Sequence, residues 1–331
     1  MSIPDTSTDV RRLVIPSDFR GQRLDKVLAQ LLPDYSRARL QAWLKAGAIE
    51  VDGVAVAPRT AVRGGEQLHA RLGIVADAVS ITAQAIPLEL VYEDAAILVV
   101  HKPAGLVMHP GAGNPNGTLQ NALLHHDPGL GAVPRAGIVH RLDKDTSGLL
   151  VVARNLCAHK HLVAALAARS IQREYEAVVC GALIAGGTVD APIGRHPADR
   201  KRMAVRAHVG PGARAARTHY RVLQRFAAHT HLRLQLETGR THQIRVHMQH
   251  IRRPLVGDPV YGRRLAIPAG ASESLRQTLQ GFSRQALHAS RLALTHPVSG
   301  ESLAWAAPPP VDFQDLLAAL SAHAREVAAN G

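Results

Sequence analysis

Leu149-Leu150-Val151-Val152-Ala153 is a run without a polar side chain, and it follows directly on His140-Arg141-Leu142-Asp143-Lys144-Asp145-Thr146-Ser147-Gly148. Strand formers in an unbroken apolar run fit a pleated surface that is packed, so the run predicts a buried strand. The charged stretch ahead of it is then a loop fixed at a strand end, and loops held by a scaffold are where chemistry usually sits. Asp143 and Asp145 lie among His140, Arg141 and Lys144. A carboxylate beside fixed cations stays ionised and can act as a nucleophile or a base. A solvated turn punctuated by Thr146-Ser147-Gly148 would have the same composition, and spacing alone leaves both readings open.

The 331 residues suffice for about two domains. Residues 1–17 are polar and read as loose. Leu24, Val27, Leu28 and Leu31 have helical spacing, ended by Pro33. Ser36 suits the N-cap of a second helix with Leu40, Trp43 and Leu44 on its inner face. Asp52-Gly53 between apolar runs signals a hairpin, and Gln67 to Ala70 reads as a further strand. Two short helices and a small sheet make a compact module over 18–78, followed by a linker at 79–86.

A second domain is expected over 87–320. Leu88 to Tyr92 and Ile97 to Val100 read as strands, and Thr118 to Leu124 as a helix. His159 to Arg169 has the pattern of another helix, and Ile171 to Val179 alternates as a strand containing Tyr175. A lone tyrosine in a strand is more often core than site. Thr218 to Val222 and His231 to Leu236 alternate as well. Ile244, Met248 and Ile251 have helical spacing, so a helix should start just after Gly239, with Arg240 and Arg245 near its beginning. Arg284 to Ala289 and Leu292 to Leu294 are read as the last helix and strand of the sheet, and Phe313 to Ala328 as a terminal helix.

Charge narrows the class of partner. The net charge is +13, and it is unevenly spread. From Arg195 to Arg253 fourteen Lys/Arg stand against two acids, Asp199 and Glu237, whereas residues 1–80 hold eleven against nine. Such a segment suits a polyanion, and the triplet Arg200-Lys201-Arg202 reads as an edge that contacts phosphates. Two separated cysteines, Cys157 and Cys180, argue against a disulfide scaffold and fit a reducing compartment. The N-terminus lacks the apolar block of a signal peptide and no run reaches the length of a membrane span, so a cytoplasmic protein with no membrane partner is expected. Nineteen histidines invite a metal, but His-Glu-x-x-His is absent and the histidines sit amid arginines, so no metal site is assigned. Gly-x-Ser-x-Gly and a P-loop are missing too.

Several blocks together carry a resemblance. His140-Arg141-Leu142-Asp143 with Asp145-Thr146-Ser147-Gly148 resembles the signature loop of the RluA-type pseudouridine synthases. Lys102-Pro103-Ala104-Gly105-Leu106 with His109-Pro110, Gly239-Arg240-Thr241-His242-Gln243-Ile244-Arg245, and Leu255 to Gly262 are similar to further blocks of that family, in order. Gly21 to Lys26, Ser36-Arg37 and Val51-Asp52-Gly53 resemble an S4 RNA-binding domain. The stretches 33–37, 109–115 and 134–137 point to the branch of the family that modifies large-subunit ribosomal RNA.

The resemblance implies an α+β protein: a small S4-like domain, then a catalytic domain on a mixed, mainly antiparallel sheet with flanking helices. It implies an isomerase that converts uridines to pseudouridine in 23S ribosomal RNA, in the intersubunit-bridge hairpin (helix 69), after flipping the base out of its stack. No cofactor is implied, the partner is 23S RNA or the large subunit, and a monomer is the simplest state. Asp143 matches the required aspartate, Tyr175 the active-site tyrosine, and Arg245, ahead of Arg240, the arginine that pairs with the carboxylate. Arg141 matches the residue that enters the space left by the flipped base. His140, Arg240, Arg37, Arg39, Lys45, Arg200, Lys201 and Arg202 are the further RNA-contact candidates, and Asp145 is assigned to holding the loop. The other class compatible with these blocks is a non-catalytic RNA-binding or ribosome-assembly factor on the same fold.

Overall fold

The structure, a computed structural model, describes residues 9–33, 35, 37–72, 81–111, 113–199, 202–262 and 266–330. The chain divides into two compact units, Met1–Ile81 and Thr82–Gly331.

The first unit contains β1 (Asp9–Val14), α1 (Leu24–Leu31), α2 (Arg37–Lys45), β2 (Ile49–Val51), β3 (Val54–Ala55) and β4 (Gln67–Leu72). The sheet order is β1-β4-β2-β3, antiparallel throughout. Leu24, Val27 and Leu28 of α1 meet Leu40, Trp43 and Leu44 of α2 over Ile49 and Leu68. Asp52 and Gly53 both adopt positive φ (50° and 76°), as the two-residue hairpin turn requires. Asp25 is buried between Arg23 (2.8 Å) and Gln41 (2.5 Å), tying the two helices together. One expectation fails here. Residues 9–14 are a strand, not a loose tail, because β4 offers a free edge and Ile15 is buried beside it. The partner lies far along the chain, so local pattern does not reveal it. Ser36 lies outside the described residues.

The second unit holds β5 (Glu89–Glu93), β6 (Ile97–Lys102), α3 (Leu119–His126), β7 (Ser147–Ala153), α4 (Leu156–Ala167) and β8 (Gln172–Cys180). It continues with β9 (Gly187–Asp190), β10 (Ile193–Arg195), β11 (Met203–Val205), β12 (Ala213–Arg214), β13 (Arg217–Arg225) and β14 (His229–Leu236). It ends with α5 (Gln243–His250), α6 (Glu273–Gly281), β15 (Leu287–Thr295), β16 (Ser302–Ala306) and α7 (Val311–Asn330). The large sheet runs β5-β6-β7-β15-β8-β14-β13-β9, with β16 on β15. Only β7 with β15 is parallel, so the sheet is mixed and mainly antiparallel. A small sheet, β11-β10-β12, stands apart from it.

Strand β7 shows why its sequence is apolar throughout. Leu150 and Val152 enter one core with Leu98, Tyr175, Leu234 and Met248. Leu149, Val151 and Ala153 enter another with Ile97, Val99 and Leu162. Alternation of period two therefore buries both faces. Among the described residues no helix is long and apolar enough to cross a membrane.

Two boundaries differ from expectation. Helix α4 starts at Leu156, where Asn155 Oδ1 accepts from the Ala158 N–H (2.9 Å). Arg284 to Ala289 is not helical. Strand β15 begins at Leu287, and the helix lies earlier, at α6, where Ser272 Oγ caps Leu275. The Ala-rich segment would suit a helix in isolation, but pairing with β7, β8 and β16 overrides that propensity. Within 79–86, Thr82 and Gln84 are tied to Asn121, which donates to Thr82 O (2.7 Å) and accepts from Gln84 N–H (3.0 Å) through its own carbonyl.

Gly148 sits where β7 pairs with β15, opposite Ala289. Its φ is +118°, and a Cβ there would lie 2.3 Å from the carbonyl oxygen of Ala289. Gly148→Ala combines that clash with backbone strain, and is expected to cost roughly 3 kcal/mol. Urea unfolding of the variant checks it, since an unchanged midpoint would contradict the close approach of Gly148 to Ala289.

Candidate active site

The loop ahead of β7 is held on several sides. Gln285 Nε2 donates to Thr146 Oγ1 (3.0 Å), and Arg284 Nη1 donates to the Asp145 carbonyl (3.2 Å). Arg284 is itself fixed by two bonds to Asp312 (2.6 and 2.8 Å). Asp143 O accepts from Thr146 N–H (3.1 Å), closing a turn. Upstream, Arg135, Ala136 and Gly137 all adopt positive φ (55°, 50° and 79°). Left-handed backbone at two non-glycine residues in succession is costly and marks a segment fixed by its surroundings.

Lys102 is fully buried at the end of β6. Its Nζ donates to the carbonyls of Pro103 (2.7 Å), Leu106 (3.0 Å) and Lys144 (2.9 Å). Burial pushes its pKa down to about 7, opposed by the charges of Asp145 and Asp143. Gly105 N–H also reaches Lys144 O (3.0 Å). One ammonium thus welds the 103–106 turn to the loop that carries Asp143. Lys102→Met keeps the volume but orphans the carbonyls of Pro103 and Leu106 and leaves Lys144 O with the Gly105 N–H alone, and a loss of about 3 kcal/mol is expected. Thermal unfolding, together with hydrogen exchange of the 104–106 amides, measures it; wild-type protection would show that the weld is dispensable.

Asp143 emerges with its side chain 15% exposed. Arg245 Nη1 donates to its Oδ2 (3.1 Å). The Nε and Nη2 of that guanidinium are engaged by Asp258, whose side chain is wholly buried: Nε to Oδ2 at 2.7 Å and Nη2 to Oδ1 at 2.8 Å. Asp258 Oδ1 also accepts from the Val260 and Tyr261 N–H groups, both at 2.9 Å. A planar fork bound in two places has its orientation fixed. Burial alone would lower the Arg245 pKa, but the bonds and charge of Asp258, with those of Asp143, more than reverse this and raise it. Asp258 is held below the usual carboxylate range, since Arg245 and the two amides outweigh its burial. The Tyr261 ring lies under the guanidinium, 5.0 Å from centroid to Cζ.

The start of α5 explains how Arg245 comes to face the loop. Gln243 Nε2 donates to Arg217 O and Thr218 Oγ1 (both 3.0 Å), while its Oε1 accepts from Thr238 Oγ1 (2.7 Å) and Arg240 N–H (3.0 Å). The helix is thereby anchored to β13, beginning four residues after Gly239. His247 is buried, with Nδ1 at Thr218 Oγ1 (2.8 Å) and Nε2 at Ala191 O (2.9 Å). Among the described residues no group of three His, Cys, Asp or Glu could hold a metal ion.

The remaining candidates fall in different places. Tyr175, on β8, is buried in the core beside Leu234. Burial, joined by the charge of Asp143 and opposed by that of Arg173, raises its pKa, so the hydroxyl stays protonated. Arg141 is exposed and has no ion pair among the described residues. Arg240 does not meet Asp143. Its Nε donates to Ala215 O (3.0 Å), and burial and the neighbouring Arg214 and Arg169 lower its pKa. Arg202 lies over the Tyr261 ring at 5.4 Å.

His140 differs from its expected place at an RNA surface. The pairing of β7 with β15 ends at Gly148, and His140 Nε2 takes up the Val151 N–H (3.1 Å) that is left over. Burial pushes its pKa down to about 3, so the ring offers no cation to RNA. Lys45 is exposed at the end of α2 in the first unit. The side chains of Arg37 and Arg39, and all of Arg200 and Lys201, lie outside the described residues.

Sequence reasoning missed Asp258, Tyr261 and His242 as one assembly with Arg245. Asp258 and Tyr261 were visible only as part of the block Leu255 to Gly262, and His242 only as part of the block Gly239 to Arg245. Lys102 carried no signal beyond its block.

Comparison with known proteins adds the following. The family model described as RNA pseudouridylate synthase matches residues 96–250, and that of the S4 domain residues 22–68. "Ribosomal large subunit pseudouridine synthase D" of Pseudomonas aeruginosa is 57% identical over 94% of this chain and 95% of its own length. Proteins of the same name from Xanthomonas campestris pv. campestris (97% of this chain, 96% of theirs) and Escherichia coli K12 (92% and 93%) are each 54% identical. Among solved structures, human RNA Pseudouridylate Synthase Domain Containing 4 superposes with a TM-score of 0.54 at 26% identity, over 75% of this chain and 96% of that one.

Proposed function

The chain belongs to the RNA pseudouridylate synthase family, with an S4 domain ahead of the catalytic one, and we propose that it isomerises uridines of large-subunit ribosomal RNA at Asp143. One observation carries the assignment of the site: a single carboxylate, at a rigid strand end, bound by a guanidinium that a second, buried carboxylate orients. The names of its relatives support ribosomal RNA of the large subunit as the substrate, and the intersubunit-bridge hairpin (helix 69) is the segment we favour.

The reaction needs no net change in composition. The N1–C1′ bond breaks, the uracil turns, and C5 bonds to C1′. The C5 proton is lost and N1 gains one. The base must leave its stack first. Arg141, exposed beside the loop, fills the space it vacates. Arg245 keeps Asp143 aimed at the nucleoside, because its other two nitrogens are committed to Asp258. Tyr175 packs its ring against the uracil. Its phenol is neutral in the free enzyme, and it offers the base a surface and a hydrogen-bonding group. Lys45, Arg202 and Arg240, with Arg37, Arg39, Arg200 and Lys201, contact phosphates. His140 is withdrawn from that set because its Nε2 is engaged by β7 and its ring is neutral.

Site-resolved mapping of pseudouridine in large-subunit RNA from cells lacking the protein tests this reading. Uridines that lose the modification, and regain it when the wild-type gene is returned, are its substrates. An unchanged map would favour a binding or assembly factor instead. RNA binding by the purified chain should weaken by about 10³-fold or more between 50 and 200 mM salt if six or more phosphates are contacted.

A further inference from the structure

Arg245 satisfies one oxygen of Asp143 and leaves the other free. Oδ1 has no hydrogen-bond donor among the described residues, but His242 Nε2 lies 3.9 Å from it. His242 is the residue just before α5, and its backbone is left-handed (φ 56°, ψ 25°). A non-glycine residue held there is strained, and such strain persists only where the surroundings impose it.

Its ring is set by Tyr261. His242 Nδ1 lies 2.9 Å from Tyr261 Oη, with the rings packed edge to face at 5.6 Å. The same Oη accepts the Met203 N–H at 2.8 Å. Tyr261 is fully buried, so its own hydroxyl proton must find an acceptor within the protein. Among the described residues, His242 Nδ1 is the acceptor in range. A nitrogen that accepts cannot carry the proton of the neutral ring, so that proton sits on Nε2, the atom facing Asp143.

We infer that His242 is a positioning residue: locked by Tyr261 in the Nε2–H tautomer, it donates to Asp143 Oδ1 and holds the second oxygen of the carboxylate that Arg245 holds by the first. The gap of 3.9 Å is longer than a hydrogen bond, and contacts of this kind commonly tighten when substrate closes the site. The groups facing His242 are consistent with a neutral ring. Burial, Arg245 and Arg141 disfavour a charge on it, and outweigh Asp143 and Asp258, which favour one. The inference rests on the reaction proposed above, but its tautomer half does not depend on activity.

Nitrogen-15 NMR of the histidine-labelled full chain reads the tautomer directly. His242 should show a bare Nδ1 and a protonated Nε2, and Tyr261→Phe should mix the two forms. Kinetics on the synthetic intersubunit-bridge hairpin read the consequence. His242→Ala should lower kcat about 10²-fold with KM changed by less than about twofold. Replacement by Gln and Asn separates positioning from mere backbone accommodation. Gln carries its amide to about where Nε2 lies, whereas Asn is shorter but tolerates left-handed backbone better. Positioning predicts that Gln recovers about tenfold of the loss and Asn little. An Asn variant at least as active as Gln, or an Ala variant with wild-type kcat, would overturn the inference, as would a bare Nε2 in the wild-type spectrum. A wild-type chain that makes no pseudouridine on the hairpin would instead count against the substrate reading, with the spectrum still deciding the tautomer.

Discussion

Asp143→Asn should lower the rate of pseudouridine formation by at least about 10³-fold while leaving the affinity for RNA within about threefold of wild type. The substitution keeps shape and volume and removes only the negative charge. Affinity for RNA comes from many cations spread over the surface, and none of those is touched. Turnover depends on one ionised oxygen presented at the strand end. Asparagine can still accept from Arg245 Nη1, so the loop should keep its place, held as it is by Lys102, Gln285 and Arg284. Single-turnover kinetics beside a filter-binding titration measure both quantities. A variant that retains a tenth or more of the wild-type rate would mean that the chemistry lies elsewhere.

The second large effect is expected from Asp258→Ala, at a residue that does not touch the nucleoside. Its carboxylate answers two donors of Arg245 and the amides of Val260 and Tyr261. Removing it strands a buried guanidinium and two backbone N–H groups at once. Breaking a buried pair from one side costs roughly 3–5 kcal/mol. Arg245 would also be free to pair fully with Asp143, which changes the aim of the carboxylate. Lower stability and lower turnover should therefore appear together. Denaturant unfolding measures the first and single-turnover rates at saturating RNA the second. Asp258→Asn should fall between, since its one carbonyl oxygen can still take the amides but cannot mirror the fork. If Asp258→Ala keeps wild-type stability, the pair is not the clamp its geometry indicates.

Much of this site was readable in advance, and the reason differs by residue. The strand β7 is written into Leu149 to Ala153 because burial on both faces demands apolar residues at every position. The loop before it is legible because charge ends where burial begins. The block from Gly239 to Arg245 pointed to Arg245 ahead of Arg240, and the anchoring of Gln243 on β13 is what turns Arg245 toward Asp143. Asp258 was out of reach because a carboxylate thirteen residues beyond its arginine has no periodic relation to it. The misplaced helix at 284–289 has the same origin, since Ala-rich sequence takes the form that its neighbours impose.

The sequence by itself determined which segments must be buried, where a charged loop had to stand, and that the chain would seek a polyanion. These follow from hydrophobic pattern, turn chemistry and net charge, which are properties of residues close together in the chain. The tertiary structure alone decided that Asp258 and Tyr261 fix Arg245 against Asp143, that His140 Nε2 is taken up by β7, and which nitrogen of His242 carries its proton. Those depend on strands and loops that are distant in sequence and adjacent in space, where a hydrogen bond exists only if the fold brings its two ends within about 3 Å.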